Sequence, residues 1–123
     1  MRRRATVVCQ REGHLLLVAR DRGRWSFPGG RKRPHEKFAE AAARELQEET
    51  GLVPPDLRYA FQFHGVRTRH FVFLVAVGPN DDPVPCNEIA RCIWLRLEEF
   101  GNIEASEATK RIAKLLVNHV REL

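Results

Sequence analysis

Three carboxylates, Glu45, Glu48 and Glu49, fall at positions i, i+3 and i+4, a spacing that puts all three on one face of a helix. Like charges this close repel by about 0.2–0.5 kcal/mol per exposed pair. Glu48 and Glu49 also lie near the C-terminal end of that helix, where its dipole disfavours negative charge. Mg²⁺ takes carboxylate oxygens together with the phosphate oxygens of a substrate, so the cluster is a platform for metal-assisted phosphate chemistry. Taken alone it fits a solvated face equally well, with Arg44 at i+4 from Glu40 and i−4 from Glu48 balancing part of the charge.

Two segments carry the helical period that such a platform needs. Residues 37–50 place Phe38, Ala39, Ala42, Ala43 and Leu46 on one side. Gly51 supplies a left-handed stop, with Pro54-Pro55 beyond it. Residues 104–120 repeat the period with Ala108, Ile112, Leu115, Leu116 and His119. Around them, Ala5–Gln10 and His14–Arg20 read as a hairpin turning at Gly13. Trp25-Ser26-Phe27 is a brief extended piece that Pro28-Gly29-Gly30 stops. Residues 59–66 and 70–77 are two more strands, residues 78–85 are a loop by composition, and Ile89–Leu95 is the last strand, ending at Trp94. Strands mixed with two amphipathic helices predict one α/β sandwich spanning residues 1–123.

The wider spacing is more specific than the carboxylates. From Gly30 the sequence runs through five residues to Glu36, then seven more to Arg44-Glu45-Leu46-Gln47-Glu48-Glu49-Thr50-Gly51-Leu52. A pattern of seven fixed and two aliphatic positions arises by chance in on the order of 10⁻⁸ of random chains of this length. It resembles in full the box of the Nudix hydrolase family, G-x5-E-x7-R-E-U-x-E-E-x-G-U, where U is aliphatic. Trp25-Ser26-Phe27-Pro28-Gly29-Gly30 is similar to the lead-in of short MutT-like members. One departure is His35, where many members carry Gly before the first box glutamate.

The resemblance implies the Nudix fold, an α/β/α sandwich with a mixed sheet in which the box forms a loop–helix–loop. It also implies Mg²⁺- or Mn²⁺-dependent hydrolysis of a pyrophosphate bond in a nucleoside diphosphate joined to another group. By the motif, Glu45, Glu48 and Glu49 hold metal with the Gly30 carbonyl, and Arg44 orients Glu45 with Glu36 as its charge partner. The general base is a box glutamate or a downstream one, for which Glu88 is the candidate, ahead of Asp81 and Asp82. Arg31, in the basic loop Arg31-Lys32-Arg33, is a candidate for a substrate phosphate. Trp25 and Phe27, with Phe61, Phe63 and Phe71, are candidates for the base. Markers of the ADP-ribose and diadenosine polyphosphate subfamilies are missing from Val66–His70, which leaves a nucleoside triphosphate, oxidised ones included. Alternatives are a pyrophosphohydrolase of RNA 5′-triphosphates and a non-catalytic nucleotide sensor, whose usual mark would be a damaged box.

Composition agrees with a globular hydrolase. The 123 residues are 43% hydrophobic and 30% charged, and no apolar run approaches the ~20 residues of a membrane span. Residues 1–33 hold ten Lys/Arg against Glu12 and Asp21, a balance of +8 in a chain of net charge +5. That asymmetry favours a phosphate-rich ligand near the N-terminal third. Nucleic acid is the less favoured partner, because no reader motif accompanies the charge. Three cysteines without a C-x-x-C pair, and no secretory signal, predict a reducing compartment, the cytoplasm. A monomer and a homodimer both remain open.

Overall fold

The computed structural model describes residues 1–120, and the side-chain surroundings of residues 1–117. The strands are β1 (Arg2–Arg11), β2 (His14–Arg20), β3 (Gly29–Arg31), β4 (Arg58–His64), β5 (Thr68–Ala76) and β6 (Ile89–Leu95). The helices are α1 (Phe38–Thr50), a 3₁₀ helix (Leu97–Asn102) and α2 (Glu107–Val120). The sheet runs β4-β5-β1-β2-β6, with β3 laid on β1. β1 and β5 are parallel and the other pairs antiparallel, so the sheet is mixed.

The unbroken buried run Ala5–Gln10 in β1 is what a strand covered on both faces requires. Ala5, Val7 and Cys9 point into a core shared with Leu16, Ala41, Ala42 and Leu46 under α1. Val8, Leu15, Leu17 and Phe27 point the other way, toward Ile112, Ala113 and Leu116 of α2. Helices on opposite faces of a mixed sheet make the expected α/β/α sandwich.

Several local expectations are corrected. Pro28-Gly29-Gly30 does not end an extended piece: Gly29–Arg31 is a strand, paired with Arg4–Thr6. Trp25 and Ser26 form only single bridges, to Ala105 and Val18. Glycine makes β3 possible, because Gly29 has φ 149° and a Cβ there would collide with the Ala5 carbonyl. Gly29→Ala is therefore expected to cost roughly 2–4 kcal/mol, read as a fall in the urea midpoint. On α1 the buried side is Ala41, Ala42, Leu46 and Glu49, while Ala39 and Ala43 are exposed. On α2, Leu115 is exposed and Thr109 is buried. His119 lies outside the residues whose side chains are described. The loop before α1 passes His35 without a left-handed residue there, so the missing glycine costs no strain. The three cysteines are free thiols, and among the described residues no helix is long and apolar enough to cross a membrane.

Candidate active site

The strands and α1 open onto a cleft of about 630 Å³. Gly29 and Gly30 of β3, Glu45 and Glu49 of α1, and Glu88 lie along it with Arg2, Arg3, Arg4, Arg20, Arg24 and Arg31. Six guanidinium groups around three carboxylates make a strongly cationic receptor with an acidic end.

Each acidic residue arrives there for a local reason. α1 starts where the Glu40 carboxylate accepts the Lys37 N–H at 2.7 Å and stops at Gly51, which is left-handed at φ 75°. Its inward side carries Glu45 and Glu49, one turn apart, whereas Glu48 faces outward and is 44% exposed. Glu45 lies directly against Gly30, where a Cβ would overlap its carboxylate. The Gly29 N–H donates to Glu49 Oε1 at 3.1 Å. Glu88 is delivered by the last turn of α1, whose free carbonyls accept bonds from the preceding loop. Glu48 O accepts from Asn87 Nδ2 at 2.6 Å, and Glu49 O and Thr50 O accept from the Cys86 and Val84 N–H groups. Asp81 and Asp82 lie instead around Arg11, with Asp82 paired to it at 3.1 Å.

Burial drives the electrostatics. Glu49 is only 5% exposed; burial pushes its carboxyl up to about 7, with Glu45 and Glu88 adding to the rise against the Gly29 N–H and Arg4. Arg44 holds the opposite kind of arrangement. Its Nε and Nη2 grip Glu36 at 2.6 and 2.9 Å, and Nη1 bonds Glu45 at 2.9 Å and Glu48 at 3.3 Å. Nη2 also donates to the Arg31 carbonyl at 3.1 Å. That grip, with the Arg33 N–H, lowers the Glu36 carboxyl to about 2. Cys92 lies behind Glu49 with its thiol pushed up to about 11 by burial, which leaves it a poor nucleophile.

The expected residues divide accordingly. Gly30, Arg31, Glu45, Glu49 and Glu88 share the cleft, with Arg44 behind Glu45. Glu48 is turned to Arg44 and to Arg33 at 3.9 Å. In keeping with that, among the described residues no three His, Cys, Asp or Glu side chains converge to hold an ion. Phe27 is not a wall of the cleft: its ring is 1% exposed in the α2 core, 6.0 Å from Phe100. Trp25 packs against the same core beneath the Arg91 guanidinium, 4.7 Å away. Phe71 stacks on Phe38, and Phe61 and Phe63 pack on the α2 core. Arg2, Arg3, Arg4, Arg20 and Arg24 were visible in the sequence only as an excess of charge.

The α/β/α sandwich thus sets the box helix beside an arginine-lined cleft with inward carboxylates. The NUDIX domain model matches residues 1–117, and the chain belongs to the Nudix family. Nucleoside triphosphatase NudI of Klebsiella pneumoniae is 31% identical over 131 residues, covering 88% of this chain and 93% of its own length. Human nucleoside diphosphate-linked moiety X motif 6 is 30% identical over 87% of this chain; the chain spans 38% of that relative's length. The crystal structure of a MutT NUDIX hydrolase from Burkholderia pseudomallei has the same fold, with a TM-score of 0.82 at 23% identity over 94% of this chain and 97% of that one.

Proposed function

We propose that the protein is a Mg²⁺- or Mn²⁺-dependent nucleotide pyrophosphohydrolase that converts a nucleoside triphosphate into the monophosphate and pyrophosphate. The observation that carries this reading is the single cleft in which Glu45, Glu49 and Glu88 meet six arginines. The donor set suits a hard cation: carboxylate oxygens and a glycine carbonyl, with Glu49 buried and raised to about 7 beside other acids. Glu45, Glu48, Glu49 and the Gly30 carbonyl are the residues that would hold the metal, Glu48 by leaving Arg44 and Arg33. When bound, the metal neutralises charge on phosphate oxygens and acidifies a coordinated water.

The chain's own groups do the remainder. Arg31 and its neighbours along the cleft bind the phosphate chain and offset its charge. Arg44 orients Glu45, and Glu36 fixes Arg44. Of the three carboxylates along the cleft, Glu45 is tied to Arg44 at 2.9 Å, which leaves Glu49 and Glu88 to take the proton as water oxygen bonds to phosphorus. The bond from phosphorus to the bridging oxygen then breaks, and pyrophosphate leaves.

The test is product analysis by mass across nucleoside triphosphates and 5′-triphosphate RNA, with and without Mg²⁺. The expected result is metal-dependent monophosphate plus pyrophosphate; folded, metal-loaded protein that turns over none of them would overturn the reading. The arginine count favours RNA ends as a second substrate. In that case kcat/KM falls steeply with salt, because several backbone phosphates add to the contacts.

A further inference from the structure

One wall of the cleft is formed where the chain leaves β2, and it carries Arg20, Gly23 and Arg24. The chain turns tightly there: the Gly23 N–H donates to Arg20 O at 2.8 Å, and Arg22 between them has φ 61°. A left-handed arginine persists only where its surroundings fix the backbone. Core packing does not fix it, because Asp21, Arg22 and Arg24 are exposed.

Arg91, on the edge strand β6, supplies the restraint. It pairs with Ala19 of β2 beside a bulge, since Arg20 pairs with Ile89 and Ala90 is left over. Arg91 Nη2 donates to the Gly23 carbonyl at 3.1 Å, and the guanidinium lies 4.7 Å from the centre of the Trp25 ring. Trp25 is itself anchored to the segment before α2. Its N–H donates to Glu104 O and its carbonyl accepts the Ser106 N–H, both at 2.9 Å. Among the described residues, the Arg91 bond is the only hydrogen bond or ion pair that ties residues 21–24 to another element. Arg91 has no carboxylate partner among them and does not line the cleft, so its polar contact is spent on this loop.

We propose that Arg91 is a positioning residue for phosphate binding, which holds the loop after β2 so that Arg20 and Arg24 meet a phosphate chain entering the cleft. Arg20 stands 4.0 Å from Glu88 with its side chain 72% exposed, a loose surface pair that leaves its guanidinium available to phosphate. Guanidinium groups grip phosphate oxygens in pairs, and a loop already ordered in the free protein adds no ordering cost to binding. The inference rests on the nucleotide reading of the cleft, but its first test does not require hydrolysis.

Metal-free protein is titrated by calorimetry with inorganic tripolyphosphate. Arg91→Ala is expected to weaken binding about 10-fold, the scale of one lost bond from a charged donor. Arg91→Met, which keeps an apolar stem over Trp25 and loses the donor, is expected to weaken it likewise and serves if the alanine variant does not fold. The same substitution is then made where Arg20 and Arg24 are already alanine. There it is expected to have no further effect, because residues that act through one another are not additive. With the best triphosphate, KM should rise by the same factor and kcat should change little. Unchanged affinity, or an equal loss in both backgrounds as a long-range charge would give, would overturn the role of Arg91. Tripolyphosphate binding that depends on Arg91, without hydrolysis of any triphosphate, would sink the pyrophosphohydrolase and leave this inference standing. Failure of the natural protein to bind tripolyphosphate would remove it.

Discussion

Glu49→Gln is expected to lower kcat on the best triphosphate about 1,000-fold or more while leaving a folded protein. The amide keeps the size of the carboxyl and can still accept the Gly29 N–H that now reaches Oε1 at 3.1 Å. What it loses is the negative oxygen, and with it any ability to bind a cation or take a proton. The same substitution is expected to stabilise the metal-free protein at alkaline pH. Burial raises the Glu49 pKa to about 7 from an ordinary 4.5. A raised folded pKa means that the buried acid is comfortable while protonated, below about 4.5, and destabilises the fold progressively as pH rises through about 7. Glutamine is neutral throughout and removes that penalty, on the order of 2–3 kcal/mol. Thermal melts in chelator at pH 4 and pH 8.5 check this: the variant should gain on the natural protein only at the higher pH. Full activity with unchanged stability would deny Glu49 both its burial and its role.

That one residue is at once buried and acidic explains where the sequence could and could not be read. The box helix was legible in extent because Gly51 and the apolar period mark it, yet its orientation was not. Alanine at 39, 41, 42 and 43 gives little contrast between faces, and the i, i+3, i+4 spacing groups Glu48 with Glu45 and Glu49, although Glu48 faces outward. In the fold Glu45 and Glu49 are on the inner side with Ala41, Ala42 and Leu46, held there by β3 and its glycines. The same reasoning misread Gly29–Arg31, since a Pro-Gly-Gly run has the composition of a turn. There the missing side chains serve instead to let a strand lie close on β1. Glu88 is legible only through the family resemblance, as the carboxylate that precedes the last strand, and the bonds that bring it to the cleft, from Val84, Cys86 and Asn87 to the end of α1, are long-range and carry no local signature. Phe27 shows how an aromatic beside a motif divides its role: packing against Phe100 buries its ring in the core, away from the main cleft, while its side chain also lines a smaller cavity beside it.

Arg44→Ala is expected to cost about 100-fold in kcat with a smaller change in KM, because Arg44 acts through the carboxylates it holds. One guanidinium ties together Glu36 from the loop, the Arg31 carbonyl of β3, and Glu45 and Glu48 from the helix. Without it, Glu45 is free to swing from Gly30, and three acids lose their shared counter-charge. Stability should fall by about 2–3 kcal/mol, the scale of losing hydrogen bonds to charged groups. Arg44→Lys should recover only part of either effect, since an ammonium is a point charge and cannot bridge both Glu36 oxygens while reaching Glu45. A titration separates positioning from general damage. The Glu36 carboxyl, held at about 2 by Arg44 and the Arg33 N–H, contributes stability above its ordinary pKa and loses it as pH falls toward 2. In Arg44→Ala its carbon-13 resonance should titrate near the ordinary glutamate value, and the acid limb of the stability curve that Glu36 supplies should flatten. If Glu36 still titrates near 2 in a folded variant with kcat unchanged, Arg44 is not the residue that organises the carboxylates of this site.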